Sequence, residues 1–229
     1  ETEVLKQYPE VLEMLLKDHT TQQNIYWATD SYADRGEGYQ FKDAIIADSI
    51  TGDNGMIIRP RSVKSKDEQT KRSKDMAEVF TPSWVCNAQN NLIDDAWFGK
   101  QGVFNAESPE HTWKATTGKI EFPEGKTWKD YVRDTRLEIT CGEAPYLVSR
   151  YDTVSGMPIE LAERIGLLDR KLRVVSENTE TTGEFLDWCQ EAYKNTYGYE
   201  WQGDNLLLAR EALLFTFLDY YRAKFGEEP

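Results

Sequence analysis

The sequence predicts an α/β fold, with strands that run through glycine turns into helices and an N-terminal α+β region ahead of them. Three observations predict it. Two segments, RLEIT-CGEAP from Arg136 and YGYE-WQGDNLLLA from Tyr197, each set a short strand before a glycine turn and a helix start. A stretch from about Asp204 to Phe225 carries Leu206, Leu207, Leu213, Leu214, Phe217 and Leu218, which reads as one long helix that is apolar on most sides and largely buried. The 229 residues are 39% hydrophobic and include seven Trp and twelve Tyr, enough for the core of one large domain or of a domain with an appendage.

The elements follow in order. The opening ETEVLKQYPEVLEMLLKDHT spaces Val4, Leu5, Tyr8, Val11, Leu12, Leu15 and Leu16 along one side of an amphipathic helix. Candidate strands follow at 24–28, 41–46 and 55–59, separated by turns at Gly36–Gly38 and at Gly52-Asp53-Asn54-Gly55. Residues 59–74, RPRSVKSKDEQTKRSK, form a basic segment that reads first as a solvated surface loop. Thr81-Pro82 opens a helix, because proline suits the first helical position, and Val85, Leu92 and Ile93 sit at helical spacing within it. Short strands at 101–105 and 118–122 lie in a loop-rich stretch. Several helices fill 146–195, broken near Gly156-Met157-Pro158 and at Thr181-Thr182-Gly183, and the last of them buries Phe185, Leu186, Trp188, Cys189 and Tyr193. The division predicted is a region 1–76 followed by a ligand-binding α/β domain 77–229.

Composition narrows the function classes. No run of about 18 apolar residues is present, so no membrane-spanning helix is expected, and the first residues lack the basic start of a signal peptide. The cysteines Cys86, Cys141 and Cys189 are odd in number and far apart, and with only His19 and His111 beside them a zinc site is not expected. Together these features predict a reduced, cytoplasmic protein. The net charge of −13 opposes general nucleic-acid binding. The basic segment is the local exception, and its Arg59, Arg61, Lys64, Lys71 and Arg72 are the candidate DNA-phosphate contacts.

In a doubly wound sheet, ligands sit at the carboxyl ends of the strands. Gly142 lets the backbone approach a ligand closely, and Glu200, at the end of the second strand, is placed to accept both hydroxyls of a ribose. Asp204 reads as the cap of its own helix.

The wording of three blocks resembles the N6-adenine DNA methyltransferases of restriction–modification systems. AEVFTPSWVCNAQNNLID is similar to the segment that precedes their cofactor strand, LEITCGEAPYL to their first cofactor motif, and YGYEWQGDNLLLAREALLFTFLDYY to their second. The blocks occur in family order and together span 77–221 discontinuously. The resemblance implies a partial Rossmann-like methyltransferase sheet that binds S-adenosylmethionine. It implies Phe80, Thr81 and Pro82 at the methionine end, and Glu138, Cys141 and Gly142 as the floor around methionine and sugar. It also implies Glu200 on the ribose and Trp201 against the adenine face. Glu138 would reach toward a positively charged amino acid group, and Pro145 would start the helix behind the pocket. The partners implied are DNA and a restriction or specificity subunit.

Three departures qualify the resemblance. The family usually follows Cys-Gly with a second glycine or a small residue two positions later, where this chain has Glu143, Ala144 and Pro145. Fifty-eight positions separate Gly142 from Glu200, against roughly 20 in a dinucleotide fold, a spacing that an insertion, GMPIELAERIGLLDRKLRVVSEN, would explain. The family's catalytic tetrapeptide, Asn or Asp followed by Pro-Pro and an aromatic, does not occur in the 229 residues. Three readings therefore stand at the level of sequence: an adenine methyltransferase or its cofactor-binding portion, a non-catalytic DNA- or protein-binding subunit on the same scaffold, and an acidic mimic of DNA.

Overall fold

The computed structural model describes Lys6 and residues 8–229. It is an α/β chain in which helices predominate and the strands form two small sheets. In chain order the elements are α1 (Pro9–Leu16), α2 (Ala47–Ile50), α3 (Lys66–Met76), α4 (Ser83–Phe98), β1 (Asn105–Ser108), β2 (Thr112–Ala115), α5 (Trp128–Arg133), β3 (Arg136–Ile139), α6 (Leu167–Asn178), α7 (Thr182–Lys194), β4 (Thr196–Tyr199) and α8 (Gly203–Phe225). Strands β1 and β2 pair antiparallel, whereas β3 and β4 pair parallel with Arg136 opposite Thr196 and Ile139 opposite Tyr199.

In the N-terminal region the expected strands reduce to isolated bridges, Lys17 with Asn24 and Tyr26 with Ala44, and 55–59 is not a strand. The segment is instead held by its side chains. Leu12 and Leu16 of α1 pack with Ile25, Trp27 and Ile45 against Leu207 of α8. Val4 and Leu5 of the expected amphipathic face lie outside the described residues. At Gly203 the approach is so close that an added Cβ would stand 2.3 Å from the Tyr26 carbonyl oxygen. The region thus shares α8 with the main core, where Phe98, Phe104, Tyr131, Leu147, Leu168, Leu172 and Phe185 gather.

The basic segment is a helix rather than a loop over most of its length. Ser65 starts α3 with a reciprocal cap: its hydroxyl accepts from Glu68 N at 3.2 Å, and the Glu68 carboxylate accepts from Ser65 N at 2.7 Å. Ala77 ends it in the left-handed conformation, φ 52°, which turns the chain back so that Glu78 meets Arg72.

Helix α4 starts where predicted, with Pro82 in its capping position, but its buried side is not the expected one. Leu92 and Ile93 face solvent, whereas Asn87, Asn90 and Asp94 face inward. The cause is Arg170 of α6, which is fully enclosed and needs anions and acceptors around it. It donates to Asp94 at 2.6 Å and to Asn91 at 2.7 Å.

The strands expected at 101–105 and 118–122 shift to β1 and β2, and α7 begins at the expected break through a Thr181–Glu184 capping box. No helix starts at Pro145; residues 142–147 form turns, and the helix that follows β3 in sequence is α6, from Leu167. Buried Lys171 of α6 ties down the amino ends of both parallel strands, donating to the Asp134 carbonyl at 2.6 Å and the Asn195 carbonyl at 2.9 Å.

A second buried guanidinium joins the two regions. Arg72 is 4% exposed. Its Nε donates to Glu78 at 2.6 Å, its Nη2 to Gln202 at 2.8 Å, and its Nη1 lies 2.9 Å from Asp204. Tyr32 donates to the same Asp204 carboxylate at 2.8 Å, so Asp204 serves this network rather than a simple cap. Removing Asp204 would leave the Arg72 Nη1 and the Tyr32 hydroxyl buried without their acceptor. Asp204→Ala is therefore expected to cost about 3–5 kcal/mol of stability, read as a lower urea midpoint.

Candidate functional site

The parallel strands place their carboxyl ends side by side, and each continues into a turn. After β3 the turn is Thr140-Cys141-Gly142, with Gly142 at φ 54°, in the left-handed region. After β4 it is Glu200-Trp201-Gln202, leading into α8. The two turns meet directly. One oxygen of Glu200 accepts from Gly142 N at 2.8 Å, and the other accepts from Gln202 N at 2.8 Å. Each oxygen keeps a further lone pair for a ligand hydroxyl.

A cavity of about 200 Å³ opens beside this junction. Its walls are Met76–Thr81, then Glu138, Thr140, Cys141, Gly142, Pro145 and Tyr146, then Glu200, Trp201, Gln202 and Asn205. Of the residues predicted for a cofactor, Phe80, Thr81, Glu138, Cys141, Gly142, Glu200 and Trp201 all line it. Pro82 does not; it stands one residue further on, capping α4. The Phe80 ring lies over Gly142, where an added Cβ would come within 3.2 Å of it, so ring and glycine are matched in space. Trp201 is 63% exposed and packs edge-on against Tyr26, at 5.8 Å between centroids. With Val79, also exposed, it forms the rim.

Strand β3 is inverted relative to an ordinary amphipathic strand. Leu137 and Ile139 face outward beside Tyr197 and Tyr199 of β4, while Glu138 points inward and is 8% exposed. Its Oε1 accepts one long contact, 3.4 Å from Tyr146 N, and its Oε2 has no partner. Burial pushes the Glu138 carboxyl up to about 8; the Tyr146 and Leu147 N–H groups pull it down and the nearby Glu200 raises it. Burial likewise pushes the Cys141 thiol up to about 12, which favours its protonated form.

Sequence reasoning missed the cavity's other polar members. Glu78 and Asn205 enter through the Arg72 network, with Asn205 donating to Glu78 at 3.1 Å. An acid placed just ahead of the Phe-Thr-Pro turn was the available signal for Glu78.

The candidate DNA contacts separate on folding. Lys64 and Arg72 are buried, which removes them from any phosphate-contacting surface. Arg72 is drawn inside by Glu78 and Asp204. Arg61 is half-buried, donates to Ser73 and to the Glu78 carbonyl, and lies 5.5 Å from the Phe80 ring centre. Arg59 pairs with Glu68 at 3.0 Å. Lys71 is exposed on α3.

Wider cavities lie elsewhere. One of about 670 Å³ lies between the β2 end, α6 and α8, but its Lys224 donates to backbone carbonyls and its Arg173 to backbone carbonyls and the Glu177 carboxylate. Among the described residues no group of three or more His, Cys, Asp or Glu is placed to hold a metal ion, and no helix is long and apolar enough to cross a membrane. Comparisons with protein-family models, with curated proteins and with solved structures find no match.

The buried carboxyl has a consequence for stability. Glu138 titrates near 8 in the folded chain and near 4.5 when exposed, so the folded state holds the extra proton between these values. Its contribution is fully present below about pH 4.5 and is lost as pH rises through about 8. Glu138→Gln cannot ionise. Its stability relative to wild type is expected to grow across that window, by on the order of a few kcal/mol, and to level off above it, as measured by urea melts at stepped pH.

Proposed function

We propose that this chain binds S-adenosylmethionine on a methyltransferase-like scaffold of the DNA-adenine class. The observation that carries the reading is the 2.8 Å contact between Glu200 and Gly142 N, which brings the first and second motif blocks to one cavity at the carboxyl ends of two parallel strands. Phe80 and Thr81 supply the remaining block to the same wall. The orphaned Oε2 of Glu138 is a feature a bound nucleoside amino acid would use.

Glu200 holds the ribose hydroxyls through its free lone pairs. Gly142, beneath the Phe80 ring and bonded through its N–H to Glu200, fixes the turn that carries the site, and Glu138 faces the amino acid portion. At about 200 Å³ the cavity encloses only part of such a ligand. The adenine lies toward the exposed face of Trp201. When bound, S-adenosylmethionine supplies an electrophilic methyl group. The chain's own residues bind and orient it and shield one side of it from water.

The absence of the Asn/Asp-Pro-Pro-aromatic tetrapeptide from these residues favours a second reading, a binding subunit without the transfer step. Both readings require the same pocket. DNA contact, where it occurs, runs through the exposed Lys71 rather than through Lys64 or Arg72.

Titration calorimetry with S-adenosylmethionine should show binding, and Glu200→Ala should weaken it by about tenfold to a hundredfold. Absence of heat at millimolar ligand, with the protein folded by circular dichroism, would refute the reading. For DNA, Lys71→Glu should lower the slope of log affinity against log salt by about one, and an unchanged slope removes Lys71 from the contact surface.

A further inference from the structure

The cavity walls hold three carboxylates, Glu78, Glu138 and Glu200, and no lysine, arginine or histidine. Their situations differ. Glu78 is neutralised by buried Arg72 at 2.6 Å. Glu200 has a backbone N–H at 2.8 Å on each oxygen. Glu138 alone has neither a cation nor a full set of donors. Its Oε1 has one long contact, to Tyr146 N, the Leu147 N–H lies close enough to favour the ionised form, its Oε2 is buried without a hydrogen-bond partner, and the residue lines the cavity. The other titratable groups facing it are Glu200 from the end of β4, Cys141 from the turn, Cys86 from α4 and Tyr146 from the following turn; none of them is a cation.

An ionised carboxylate cannot stay in such a place without compensation. It either holds a proton or meets a positive charge. We propose that Glu138 makes the pocket selective for ligands with a cationic centre, releasing its proton to solvent as that centre seats. Before binding, the carboxyl is neutral. On binding, the O–H bond breaks, the proton leaves to buffer, and the carboxylate formed pairs with the ligand's charge. The buried charge of the site is then balanced in both states. This inference rests on the cofactor reading above, and it adds what the pocket discriminates: a nucleoside joined to a cation against a neutral nucleoside. The raised titration of Glu138, near 8, agrees with a neutral acid in the empty site at neutral pH.

The test is calorimetry with two probes, S-adenosylmethionine and adenosine, in buffers of different ionisation enthalpy near pH 6.5, where an α-amino group is already charged. For S-adenosylmethionine, release approaching one proton per ligand is expected, with affinity rising by up to about tenfold per pH unit between about 5.5 and 7. For adenosine, no proton release and no pH dependence are expected. Glu138→Gln should abolish the release and weaken S-adenosylmethionine by about tenfold or more, while adenosine affinity stays within about twofold. Glu138→Asp should restore part of the release. S-adenosylmethionine binding without proton release overturns the inference and leaves the cofactor reading standing, as does equal release with both probes. Failure of S-adenosylmethionine to bind overturns both. The wild-type measurement alone decides the point should the Gln variant not fold.

Discussion

A guanidinium taken out of water has to be met by anions, and in this chain the burial of Arg72 sets the arrangement around it. Glu78, Gln202 and Asp204 converge on it from three places, and Tyr32 closes the far side of Asp204. Those partners belong to the segment after α3, the turn before α8, the first turn of α8 and the N-terminal region. None can move without exposing a charge in a dry interior, where losing one partner costs far more than losing a surface pair. The candidate cavity is built on this cluster, since Glu78, Gln202 and Asn205 all line it. The pocket floor is therefore held by charged groups that pair with one another, whereas Glu138 has no cation beside it.

The parallel pair β3–β4 is short, and its stability comes from its ends. At the amino ends a buried lysine donates to two carbonyl oxygens; at the carboxyl ends a carboxylate accepts from two amide groups. Each end recruits the charge that its free backbone groups call for. The price appears in β3 itself. To aim Glu138 into the cavity the strand turns Leu137 and Ile139 outward, reversing the usual preference. Buried groups without full partners are few in proteins, and one that lines a cavity between two strand ends is in the place where α/β folds bind ligands.

Much of the helical architecture was legible. The long apolar run to Phe225, the break at Thr181-Thr182-Gly183 and the two strand–turn segments follow local rules that act over a few residues. Seven of the eight residues expected at a cofactor site line one cavity, because their motif carries both the strand ends and the turns. The misses share a cause. Leu92 and Ile93 kept helical spacing, yet the polar side of α4 turned inward to serve Arg170, a residue far along the chain. The basic segment read as solvent-facing, yet its Arg72 and Lys64 went inside. The strands expected before residue 60 stayed as bridges, because apolar packing on α8 holds that region without a ladder.

By itself the sequence determined some of the helices, the one after Pro82 and the long one to Phe225 among them, and which residues sit at the two strand ends, since turns and apolar spacing are short-range properties of the chain. Tertiary structure alone decided which charges are buried and which face of β3 looks inward. A cation enters the interior only when its anions arrive from distant parts of the chain, and no window of neighbouring residues records that meeting.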